Sequence, residues 1–213
     1  MQEQAALARS LVPIARKWNA RLTVHGGVDT AAAAGADGVH LAAGGDVIGA
    51  RTVLGQGARV GISIHSVAEA RALDPTRIDY AIAGPAFETA SKPGYGPALG
   101  TEGIREIVGA ARVPLIAIGG ITPERIPHIV AAGAVGVAVM GSVMRARDPG
   151  AEVRALLAAL VVNSFPRCRS RTLRGINGGA SDLSKAAALR LLVAPPRRLP
   201  SFPCLRDRGY GSA

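Results

Sequence analysis

Six short aliphatic runs recur along the first 163 residues: Arg21–Val24, Gly38–Leu41, Val60–Ser63, Tyr80–Ala83, Pro114–Ile118 and Val135–Met140. Nearly unbroken apolar runs of this length read as strands of a parallel sheet buried on both faces. Ala-rich stretches with helical periodicity separate them. The first is expected over Gln2–Asn19, disturbed at Pro13. Ser66 begins another, through Glu69 and Ala70, and Thr101-Glu102 begins one running toward Ala111. Over Thr122–Ala132, Thr122 reads as the N-cap, Pro123 as the first helical residue, Glu124 as a first-turn acid and Gly133 as the C′ residue. A last helix covers about Pro149–Val162. The phrases Ala34-Gly35-Ala36-Asp37-Gly38-Val39 and Ala132-Gly133-Ala134-Val135-Gly136-Val137 are near copies, each leaving a helix on Gly and entering a strand. Repeated βα units of this size point to a barrel or a doubly wound sheet. A barrel needs eight units; six are visible, as though the chain entered part way round.

At Asn163 the pattern stops. Residues 164–213 carry nine Arg and Lys185 against Asp182 and Asp207, a net +8 of the chain's +10, so the body over 1–163 is close to neutral. Arg and Pro are scattered there without period, and the segment is expected to be disordered. Two domains are therefore read, a partial barrel over 1–163 and a basic tail over 164–213. Both cysteines, Cys168 and Cys204, lie in that tail without CxxC spacing, which supports neither a metal site nor a disulfide framework. No uncharged apolar stretch reaches membrane-spanning length, and the N-terminus lacks the pattern of a signal peptide, so a cytoplasmic location with no membrane partner is expected. The scattered arginines and 3% aromatic content fit no nucleic-acid-binding motif.

Candidate chemistry sits at the ends of the strands. Gly119-Gly120 ends the fifth run and Gly141-Ser142 the sixth. Glycines there let backbone N–H groups approach an anion, and a following helix adds its positive end. The loops after the last strands are the common phosphate site of (β/α) barrels. The loop Gly84–Gly94 is long for a βα connection and reads as a lid. In it Thr89, Ser91 and Lys92 could donate to a phosphate or diphosphate. Ser63 and His65 end the third run on one side of the chain. His65 reads equally as an acid–base group or ligand contact and as a capping or packing residue; His40 reads as structural and His128 as exposed.

Five phrases in order carry a resemblance over about Ala5–Ala155: Ala36-Asp37-Gly38-Val39-His40-Leu41, Gly61-Ile62-Ser63-Ile64-His65-Ser66, Gly84-Pro85-Ala86-Phe87-Glu88-Thr89-Ala90-Ser91-Lys92-Pro93-Gly94, Ala117-Ile118-Gly119-Gly120-Ile121-Thr122-Pro123-Glu124 and Gly136-Val137-Ala138-Val139-Met140. They resemble thiamine phosphate synthase and its sister, the TenI-like thiazole tautomerases. The resemblance implies an α/β fold, a TIM-type (β/α) barrel that is incomplete here, and a place in thiamine biosynthesis as a transferase or an isomerase. It implies that Gly119, Gly120, Gly141 and Ser142 hold a thiazole phosphate, that Thr89, Ser91 and Lys92 lie where the synthase grips diphosphate, and that Ser63 lies near the reacting centre. Ser63, His65 and Lys92 are the candidate catalytic residues. The synthases use magnesium. Their first metal carboxylate follows an Asn where this chain has His25-Gly26, and their second lies just after the His-Leu mark, where this chain has Ala42-Ala43-Gly44-Gly45 and then Asp46. No metal is therefore expected, and the Ser-Lys-Pro-Gly lid also looks more tautomerase-like, although some tautomerases carry a catalytic His where Pro85 stands. The family's frequent oligomerisation implies a homo-oligomer.

Two other readings stand beside this one. The chain begins after two of the family's βα units, one bearing a Gln-x-Arg-x-Lys pattern, and its ending departs from the family's. Both fit a defective product, truncated at the start and frame-shifted after about Val162. Alternatively the Arg-rich tail contacts an anionic polymer.

Overall fold

A computed structural model describes residues 2–89 and 96–163. Strand and helix alternate: α1 Gln2–Lys17, β1 Thr23–His25, α2 Val28–Ala34, β2 Gly38–Leu41, α3 Val47–Leu54, β3 Arg59–Ile64, α4 Val67–Arg71, β4 Tyr80–Ala83, α5 Gly100–Ala110, β5 Leu115–Ile118, α6 Ile126–Ala131, β6 Gly136–Ala138, α7 Gly141–Arg145 and α8 Pro149–Asn163. All six strands are parallel and lie in chain order. This is the arrangement of successive βα units in a TIM-type barrel, carried through six strands. Among the described residues β1 pairs only with β2 and β6 only with β5, so the barrel wall is open between them.

The sheet separates two environments by the period of two. Val39, Leu41, Val60, Ile62, Ile64, Ala81, Ala83, Leu115, Ala117 and Val137 face the helices and join Ile104, Ile107, Ile126, Ile129, Leu156 and Leu160 in one core. The alternate residues Tyr80, Ile116 and Ala138, with Ile82 beside them, form a smaller cluster on the concave side. Gly61 is required there: it lies opposite Tyr80, and an added Cβ would stand 2.1 Å from the Tyr80 Cζ.

The amino ends of β3 and β4 are closed by a buried ion pair. Arg51, 8% exposed, donates to the carbonyls of Arg77 (2.7 Å) and Ala58 (2.8 Å) and to the Asp79 carboxylate at 2.6 Å. Asp79 also accepts from the Val60 amide at 2.9 Å. With every charge met by several partners, the desolvation cost of burial is offset.

The helix boundaries follow their capping chemistry. Ser66 caps α4 in a reciprocal box with Glu69. Asp46 caps α3, its carboxylate accepting from the Gly49 amide at 2.8 Å. Helix α1 runs through Pro13 to Lys17. The expected N-cap at Thr122 is corrected: α6 begins at Ile126, with Arg125 as its N-cap and a turn over Thr122–Arg125 before it. A helix starting at Pro123 would put Pro127 in its interior, without an N–H to donate and with its ring against the preceding turn. Starting at Ile126 places Pro127 in the first turn, where that N–H is not needed.

Candidate functional site

A cleft of about 980 Å³ runs along the concave face, from Arg21 and Arg59 at the amino ends of the strands to the loops at their carboxyl ends. The carboxyl ends are where (β/α) folds place chemistry. Ser63, His65, Thr89, Gly119, Gly120, Gly141 and Ser142, singled out from the sequence, all line it. Ser91, Lys92 and the whole of 164–213 lie outside the described residues.

The two glycine corners are built differently. Gly119 (φ +100°) and Gly120 (φ +60°) adopt left-handed backbone, which other residues seldom enter. They also pack hard against the root of the long loop after β4. The Ala86 amide donates to the Ile118 carbonyl (2.7 Å) and the Phe87 amide to the Gly119 carbonyl (3.1 Å). A Cβ on Gly120 would stand 2.8 Å from the Phe87 Cβ. Arg125 fastens the corner from the other side, donating to the Gly120 carbonyl at 2.7 Å with its guanidinium 4.6 Å above the Phe87 ring. At the second corner, Gly141 and Ser142 open α7, a short helix with no side-chain cap. Its first-turn amides have no partner within the helix. The Ser142 hydroxyl is buried and, among the described residues, has no hydrogen-bond partner.

His65 stands at the rim. Its backbone N–H donates to the Glu69 carboxylate, and its ring Nδ1 lies 2.6 Å from the Gly84 carbonyl oxygen. A carbonyl can only accept, so Nδ1 carries the proton, and in the neutral ring Nε2 is the acceptor. Deeper in, His40 is 8% exposed, with its Nε2 3.0 Å from the Ser63 Oγ. Its ring stacks on Tyr80 at 5.6 Å and is flanked by His25 at 5.7 Å. Burial first, and the neighbouring His25 second, push its pKa down from 6.5 to about 4. Burial likewise pushes the Tyr80 hydroxyl up, partly opposed by its hydrogen bond from Thr23.

Glu88 is the one carboxylate among the residues that line the cleft, and none follows β1 or β2 directly. Gly26 follows β1 with φ +89°, and Ala42 and Ala43 follow β2. Asp46 serves α3 as its cap. Among the described residues no three His, Cys, Asp or Glu side chains cluster as a metal site would require. No helix among them is long and apolar enough to cross a membrane.

Sequence reasoning did not single out Tyr80, Arg125 or Arg145, which also line the cleft. Tyr80 and Ile82 alternate with the core-facing Ala81 and Ala83, so strand period alone could have found Tyr80. Arg125 was hidden by the wrong start assigned to α6.

The sequence model of the family described as Thiamine monophosphate synthase matches residues 1–143. The thiamine biosynthesis bifunctional protein ThiM/ThiE of Symbiobacterium thermophilum is 45% identical over 143 residues, covering 67% of this chain and 30% of that protein. The thiamine-phosphate synthase of Chlorobium luteolum is 41% identical over 163 residues, covering 75% of this chain and 76% of that protein. Among solved structures, thiamine phosphate pyrophosphorylase from Pyrococcus furiosus superposes with a TM-score of 0.66 at 29% identity, over 75% of this chain and 76% of that one. The chain thus spans less than a third of the bifunctional relative and about three quarters of the other two.

Proposed function

The chain belongs to the thiamine monophosphate synthase family, and from that starting point we propose that its cleft binds a thiazole phosphate and moves a proton on the thiazole ring. The phosphate sits between Gly119-Gly120 and Gly141-Ser142. The observation that carries this is the second corner: a first turn with no side-chain cap and a buried Ser142 hydroxyl, unpartnered among the described residues, line one cleft beside a glycine turn. The Ser142 hydroxyl, unpartnered among the described residues, and the first-turn amides that the helix itself does not satisfy are donors an anion would meet. Arg125 and Arg145 line the same cleft and add positive charge.

Proton transfer is favoured over condensation because the donor set does not fit magnesium. Gly26 and Ala42-Ala43 supply no carboxylate at the ends of β1 and β2, and Asp46 is engaged as a cap; we propose a reaction that uses no metal. His65 has an accepting Nε2 fixed by the Nδ1 contact to Gly84. In the proposed step Nε2 takes a proton from a carbon conjugated with the ring. The electron pair shifts through the ring, and the same proton returns at a different position. Thr89, in the described part of the loop after β4, lines the same cleft.

The test is a thermal melt with and without thiazole phosphate, on the wild type and on Ser142→Asp. A ligand that binds only the folded state raises the melting temperature. The wild type should shift upward and Ser142→Asp, with a carboxylate in the corner, should not. Equal shifts would remove the phosphate from this corner. The names of the relatives favour a second reading, the joining of a pyrimidine diphosphate to the thiazole phosphate. Magnesium-dependent release of diphosphate by the wild type would establish that reading instead.

A further inference from the structure

The His40 ring has one hydrogen-bond partner among the described residues. Its ring is held between Tyr80 and His25, and its Nε2 faces the Ser63 Oγ at 3.0 Å. Its Nδ1 is buried and, among the described residues, has no partner. A neutral imidazole carries one proton, on one of these two nitrogens. Placed on Nδ1, the proton would be a buried donor with nothing to accept it, the expensive arrangement. Placed on Nε2, it is satisfied by Ser63, and Nδ1 is left as a bare acceptor lone pair.

We propose that His40 is a positioning residue: protonated on Nε2, it donates to Ser63 and turns the Ser63 hydroxyl proton into the cleft, toward an electronegative atom of the bound ligand. Ser63 Oγ has then accepted one hydrogen bond, and its own O–H lies at the wall of the cleft that it lines. The pair works as a relay of donors, not as a nucleophile and base. For Ser63 to be a nucleophile its proton would have to point at Nε2, and the proton on Nδ1 would then be unmet. The ligand group recognised is an uncharged or anionic acceptor, such as a phosphate oxygen or a ring heteroatom. A ligand donor at that point would meet the Ser63 proton head on.

The assignment rests on the reading of the cleft as a thiazole phosphate site for its ligand, but not for its tautomer. The first measurement therefore needs no ligand. A long-range 1H–15N spectrum of the histidine-labelled chain, assigned with His40→Gln, reports which ring nitrogen is protonated. A neutral His40 protonated on Nε2 is expected; protonation on Nδ1 overturns the proposal. The second measurement is the affinity for thiazole phosphate, by calorimetry. Ser63→Ala should weaken binding about tenfold or more, the range for losing a hydrogen bond to a polar or charged acceptor. His40→Phe, which keeps a stacking ring but no donor, should weaken it about three- to tenfold. His40→Gln, whose amide can reach the Nε2 position, should recover most of that loss. Equal losses in His40→Phe and His40→Gln would mean that the ring only packs, and would overturn the proposal, as would labelling of Ser63 by a fluorophosphonate. If the wild type does not bind thiazole phosphate, the reading of the cleft fails, while the tautomer result still decides the role of His40.

Discussion

Lowering the pH should destabilise this fold in a way that one side chain controls. His40 titrates at about 4 in the folded chain against 6.5 as an ordinary histidine. Between those values the unfolded chain binds a proton that the folded chain refuses, so stability rises with pH across that window. Below about pH 3 both states are protonated and the slope vanishes; above about pH 7.5 neither is. At pH 7 the penalty is only about 0.2 kcal/mol. At pH 5 the unfolded side chain is almost fully protonated and the folded one almost not at all, and the penalty reaches about 2 kcal/mol. The figure depends little on the exact folded value, because at pH 5 the unfolded titration dominates. Urea unfolding followed by far-ultraviolet circular dichroism at pH 7 and pH 5 measures it, as a midpoint shift of about 1 M for a typical urea slope. The control is His40→Gln, which shares every other titrating group. The pH-dependent loss in the wild type should exceed that of the variant by about 2 kcal/mol. Matching losses would mean that His40 takes up a proton in the folded state as readily as in the unfolded one, and the argument from burial would be wrong.

Three further outcomes follow from the packing. Asp79→Asn leaves the buried Arg51 guanidinium without its carboxylate and should cost about 3–5 kcal/mol in urea unfolding; a loss under about 1 kcal/mol would show that the carbonyls of Arg77 and Ala58 suffice. Gly120→Ala forces a side chain into left-handed backbone against Phe87 and should cost about 1–3 kcal/mol of stability along with ligand affinity; an unchanged melt would contradict the close approach. Asp46→Ala removes the cap of α3 and should cost about 1 kcal/mol with no change in any response to magnesium, whereas a change in that response would make Asp46 a ligand.

The sequence made the six strands legible because each is a compact apolar run bounded by glycine or charge, as Gly38–Leu41 and Tyr80–Ala83 show by matching without shift. Helices were legible where capping was strong, as at Ser66, and misplaced where two prolines four residues apart competed for one helix start. The Gly119-Gly120 turn was legible because positive φ leaves a mark in the sequence. The pairing of His40 with Ser63 was not: the two are 23 residues apart, and only the register of β2 against β3 brings them together. Nor did composition reveal that Asp46 is a cap, since an offset metal carboxylate and an N-cap are the same residue type in the same loop.

The Arg51–Asp79 clamp lies at the amino ends of β3 and β4, and the cleft chemistry lies at the opposite ends of the same strands. Substitutions at well-separated positions act on stability almost independently. The rim residues can therefore be exchanged to explore other ligands while the clamp underneath stays intact, and a laboratory selection for altered substrate preference should accept changes at the rim long before it accepts any at Arg51.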